Sequence, residues 1–91
     1  MYRIEAARSR IKRDLERMPA ADRARIATAV ALLSNTPRPA QAIQLEPAVY
    51  RIRVGEYRVI YKVYDDKELV LIGRIARRSE STYKGIGNLF E

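Results

Sequence analysis

Four basic side chains stand at positions that an extended chain would place on one surface: Arg51, Arg53, Arg58 and Lys62. The run Val49-Tyr50-Arg51-Ile52-Arg53-Val54 alternates, Gly55-Glu56 interrupts it, and Tyr57 to Tyr64 follows. A two-residue break that opens with glycine between alternating runs predicts a β-hairpin with a type II′ turn. Such a loop fixes the register, with Val54 facing Tyr57, Arg53 facing Arg58, Ile52 facing Val59 and Arg51 facing Ile60. One sheet face then receives Tyr50, Ile52, Val54, Tyr57, Val59 and Tyr61, and the other receives the four cations. Like charges set directly opposite each other cost about 0.2–1 kcal/mol. A solvated strand face tolerates that cost, because long side chains splay apart and salt screens them. An anion site would use it, since guanidinium forks one cross-strand step apart match phosphate oxygens. A second basic segment, Arg77-Arg78-Ser79-Glu80-Ser81-Thr82-Tyr83-Lys84, reads either as a polar extension or as an arm whose Tyr83 can stack on a base.

Other chemistries lack their residues. The chain has no histidine, so neither a histidine acid–base pair nor a Ser-His triad can form. It has no cysteine either, which argues against a catalytic zinc site and rules out disulfides. Asp65-Asp66 sit in a turn and read as turn formers rather than metal ligands. Glycines occur only at positions 55, 73, 85 and 87, and they form no phosphate-cradling loop. Ser79 and Ser81 have no identifiable base beside them. No metal and no small-molecule cofactor is called for.

The elements that must hold these cations can be read along the chain. Tyr2-Arg3-Ile4 suggests a first strand. Ala7, Ile11, Leu15 and Met18 repeat at helical spacing until Pro19 stops them. A second helix starts near Asp22, carries Ile26, Val30 and Leu33 on one stripe, and ends at Asn35-Thr36-Pro37-Arg38-Pro39. Ala40 to Pro47 reads as a connector. After the hairpin, Asp65-Asp66-Lys67 turns the chain into a strand over Leu69–Ile75, apolar on both faces as a central strand is. The fold class is therefore α+β: an N-terminal strand and a helical hairpin packed on one face of an antiparallel sheet of about four strands.

Ninety-one residues make a single domain, 1–91, and 47% hydrophobic residues suffice for a core. Eighteen Lys and Arg against eleven Asp and Glu give a net charge of +7. The excess is concentrated. The first eighteen residues carry six basic against three acidic side chains, and Arg38 to Lys62 carry five against two. That balance suggests a polyanionic partner: nucleic acid, a ribosome or an acidic protein. No charged-then-apolar leader and no membrane-length apolar run is present, so a cytoplasmic protein with no membrane contact is expected.

Laid end to end, Tyr50–Tyr61, the final strand and Arg77–Tyr83 resemble the RelE/ParE toxin superfamily, as do the helix pair and the Pro37-Arg38-Pro39 connector. The likeness covers nearly the whole chain. It implies a toxin neutralised by a cognate antitoxin that wraps around it. RelE-like members enter the ribosomal A site and cut the message without a metal, making contacts to mRNA and to 16S rRNA. ParE-like members share the fold but poison DNA gyrase. A third reading is a basic binding domain without activity.

Carried over by position, Arg51 and Arg53 match the basic pair of RelE-like members on the second strand, and Arg58 matches the arginine on the third. Arg77 or Arg78 matches the late arginine, Tyr83 matches the tyrosine, and Arg51, Lys62 and Lys84 would bind RNA. Metal-free RNA cleavage needs the 2′-OH deprotonated, the crowded phosphate stabilised and the 5′-oxygen protonated. Arginine suits the middle task. With a pKa above about 12 it is a poor base, and Glu80, Tyr83 and Lys84 are the candidates for proton transfer.

Overall fold

A computed structural model describes residues 1–77 and 89–90. Along the chain run β1 (Arg3–Ala6), α1 (Ser9–Glu16), α2 (Ala20–Leu32), β2 (Ile43–Glu46), β3 (Val49–Val54), β4 (Tyr57–Tyr64) and β5 (Leu69–Arg77). The expected α+β arrangement is present, with two differences in the sheet. Among the described residues it has five strands, in the order β1-β5-β4-β3-β2, and β1 runs parallel to β5 rather than antiparallel. The additional strand, β2, lies inside the stretch read as a connector. Its Leu45 alternates with Gln44 and Glu46 and reaches the apolar cluster on the sheet face turned away from the helices. Pro47-Ala48 then closes a two-residue turn onto β3, with Ala48 held at φ 66°.

Helix boundaries follow local chemistry. Proline lacks the N–H and clashes with the preceding turn, so α1 ends at Glu16 ahead of Met18-Pro19, and Pro19 in turn caps α2. Ile11 of α1 and Ile26 of α2, with Leu33 just beyond it, press onto Ile52, Tyr57, Val59, Tyr61, Val63, Val70, Ile72 and Ile75. Burying each large aliphatic side chain fully contributes roughly 1.5–3 kcal/mol, and this layer fixes the helices over the sheet. The start of β1 is tied to the end of α2, because the Tyr2 N–H donates to the Ser34 carbonyl at 2.8 Å and the Ser34 hydroxyl to the Tyr2 carbonyl at 2.7 Å.

The hairpin register is the one expected, including Arg53 opposite Arg58 and Arg51 opposite Ile60. Gly55 has φ +59° while Glu56 stays on the negative side, as a type II′ turn requires. β4 and β5 pair with one irregularity: Ile60 faces Arg74 and Tyr61 faces Ile72, which leaves Gly73 as the extra residue of a bulge.

Candidate nucleic-acid interface

β3 and β4 sort their side chains as alternation demands. Ile52, Tyr57, Val59 and Tyr61 enter the helix-side core, and Tyr50 and Val54 pack at its margin. Arg51, Arg53, Arg58 and Lys62 take the opposite face. Same-face neighbours along a strand are about 6.6 Å apart and strands about 4.8 Å apart. Arg51, Arg53 and Arg58 thus occupy adjoining sheet positions.

That face is only partly open to solvent. Val49 and Ile60 are buried there, with Leu45, Leu89 and Phe90 packed against them. Phe90 seats on the bulge glycine: a Cβ at Gly73 would lie 2.6 Å from two of its ring carbons. Arg53 is exposed, whereas Arg58 and Lys62 are half-buried. Arg51 retains only 9% exposure. Its Nε is buried and has no hydrogen-bond partner among the described residues. Arginine cannot shed its proton to relieve such a position, so a buried guanidinium gains most from an anion that supplies the missing acceptor.

β5 contributes one cation that the sequence pattern did not flag. Arg74 faces Ile60 on the same side as Arg51 and Arg58. The signal for it was the Gly73-Arg74 pair interrupting an otherwise apolar strand, since a charge in a central strand needs a reason. Arg77 falls on the other side. It pairs with Tyr57 on the helix face, and its guanidinium lies 5.9 Å from the centre of that ring. Arg51, Arg53, Arg58 and Lys62 therefore share a face, and Arg77 does not join them. Arg78, Tyr83 and Lys84 lie outside the described residues.

Behind the cations, the Pro37-Arg38-Pro39 connector is fastened to the sheet. Tyr61 donates to the Pro37 carbonyl at 2.8 Å and stacks against Tyr50 at 5.9 Å between ring centres. Burial pushes the Tyr61 phenol up to about 12. Arg38 donates to the Tyr50 hydroxyl at 3.1 Å and to Asp65 at 2.6 Å, and Tyr2 donates to the same carboxylate at 2.6 Å. These bonds, that from Arg38 first, hold the Asp65 carboxyl below its ordinary value.

The sheet order and the helix pair have counterparts among known proteins. Residues 4–82 match the family model described as the ParE toxin of the type II toxin–antitoxin system parDE. The chain belongs to the RelE/ParE toxin superfamily. A curated relative from Methanocaldococcus jannaschii, provisionally named toxin RelE1, is 30% identical over 80 residues, which is 82% of this chain and 88% of that one. Among solved structures, the archaeal RelE–RelB complex from Pyrococcus horikoshii OT3 superposes with a TM-score of 0.75 at 24% identity, over 88% of this chain and 98% of that chain. Isolated E. coli RelE gives 0.76 at 20% identity, over 89% of this chain and 88% of its own. At those identities the two structures speak for the fold of this RelE/ParE toxin. No helix among its described residues is long and apolar enough to cross a membrane.

Proposed function

We propose that this chain is a ribosome-dependent, metal-free endoribonuclease that cuts messenger RNA in the ribosomal A site, and that a cognate antitoxin restrains it. The observation that carries the reading is Arg51, nine-tenths buried with an Nε that has no acceptor among the described residues, beside Arg53, Arg58 and Arg74 on one sheet face. A phosphodiester entering that face offers Arg51 an acceptor, and the surrounding guanidiniums stabilise the extra charge of the pentacoordinate transition state. Arg53 and Arg58 hold the non-bridging oxygens in this reading. Because Arg77 sits on the helix side, Arg78 takes the role of the late arginine. Proton transfer falls to Tyr83 and Lys84, since arginine is a poor base, and Lys62 steers the strand. Two solved relatives, from Pyrococcus horikoshii and Mycobacterium tuberculosis, are complexes of a RelE-type toxin with its antitoxin, which supports the partner assignment.

A second reading, gyrase poisoning, has its own support. The matching family model is that of ParE toxins, and arginines stand where a tunable base would be needed. Purified protein incubated with programmed ribosomes, with message ends mapped and gyrase supercoiling assayed in parallel, separates the two. Cuts within the A-site codon that require the ribosome are expected. Arg58→Ala should lower their rate by about 10²–10³-fold, the usual effect of removing one transition-state donor. Intact message together with trapped gyrase–DNA complexes would replace the first reading with the second.

A further inference from the structure

A second group of cations lies round the end of the sheet from the hairpin face. β1 pairs with β5 only as far as Ile72. Beyond that point α1 and the Met18-Pro19 turn flank β5 instead, and between them opens a cleft of about 230 Å³. Arg10, Arg17, Arg74 and Arg77 line it, against a single carboxylate, Asp14. Asp14 is engaged by Arg10 at 3.6 Å. Arg17 and Arg77 are exposed and form no ion pair among the described residues, and Arg77 rests on the face of Tyr57. Like charges gathered in a concave site focus potential and attract an anion more strongly than the same charges spread over a convex surface.

The cleft is also contiguous with the hairpin face. Ala76, in its wall, pairs with Arg58 across one strand spacing, and Arg74 belongs both to the cleft wall and to the arginine face. We propose that this seam between α1 and the end of β5 is a second anion subsite, holding the phosphodiester backbone of single-stranded RNA a few nucleotides away from the bond seated at Arg53 and Arg58. The proposal rests on the RNA-directed reading above, and it adds a substrate requirement: a strand long enough to reach round the sheet end. Among the described residues its cations are all guanidiniums, set among apolar Met18, Pro19, Ile75 and Ala76, and its one aromatic ring, Tyr57, is buried. The subsite therefore reads backbone rather than base and is indifferent to sequence.

Salt dependence of binding tests this without relying on cleavage. Each phosphate neutralised on a single strand contributes about 0.7 to the slope of log K against log salt. The full-length protein, titrated with a labelled trinucleotide and with a longer unstructured RNA, should show a steeper slope for the longer strand. The double variant Arg10→Ala with Arg17→Ala should lower the long-strand slope by about 1.4, two contacts' worth. Trinucleotide affinity should stay unchanged, which also reports that the variant is folded. Arg17→Glu, at an exposed position, should have a larger effect than Arg17→Ala alone, in the same direction. An unchanged long-strand slope in the double variant would overturn the subsite, whatever the ribosome assay gives. So would loss of binding to an Asp/Glu-rich peptide with RNA binding intact, which would assign the cleft to an acidic protein. A reduced slope in a protein that cuts no message would keep the subsite and remove the nuclease.

Discussion

At the scale of single residues, Arg51 and Gly73 define the cationic face. A buried guanidinium whose Nε has no partner among the described residues stabilises the fold less than an apolar side chain of similar shape would. Arg51→Met should therefore leave stability unchanged or raise it by about 1 kcal/mol, while RNA affinity falls. Thermal melting and an RNA titration on the same sample check both halves, and a large loss of stability with RNA affinity unchanged would show that Arg51 serves packing alone. Gly73 gives way to the Phe90 ring, which touches the backbone where a Cβ would stand. Gly73→Ala should unseat that ring at a cost of about 1–3 kcal/mol, the range for an overpacked site. In a Phe90→Ala background the same change should cost less, the Leu89 Cβ at 3.1 Å being the contact that remains. A double-mutant cycle measured by denaturant unfolding reads the coupling directly.

At the scale of elements, turns set the register and the register sorts the charges. A type II′ turn at Gly55-Glu56 needs a positive φ at its first position, which glycine provides at no steric cost. Shifting the pairing by one residue would send the arginines into the helix-side core. That hairpin was legible because glycine, alternation and loop length all agree. β2 was not, because Gln44 and Glu46 leave only Ile43 and Leu45 as apolar positions, too short a pattern to separate from a loop. Its turn carries Ala48 at φ 66°, a conformation that costs an L-residue about 1–2 kcal/mol. Ala48→Gly should relieve part of that strain and raise the urea midpoint, despite glycine's larger entropy in the unfolded chain. A lower midpoint would mean that entropy outweighs the strain.

At the scale of the whole molecule, Asp65 gathers distant parts of the chain, accepting from Tyr2 at the N-terminus and from Arg38 in the connector. Its pKa is lowered in the folded protein, so the network contributes stability above the ordinary carboxylate value of 3.8. That contribution fades as the pH falls through the depressed folded value. Asp65→Asn should accordingly melt earlier than wild type near neutrality, with the two curves converging below about pH 4. The gap should be modest, because the carboxylate is exposed and salt screens it. A gap that persists into acid would assign the effect to the turn rather than to the charge.

Local pattern alone determined the helix pair, the hairpin, its register and the separation of cations from core, since each follows from spacing and turn chemistry within a few residues. The tertiary structure decided what depends on partners distant in sequence. The parallel pairing of β1 with β5, the bulge that places Arg74 beside the arginine face, the burial of Arg51 and the assignment of Arg77 to the helix side belong here. A strand's own sequence says which residues alternate. Which face lies against helices, and where a bulge reverses the alternation, is set only when the neighbouring strands and helices close over it.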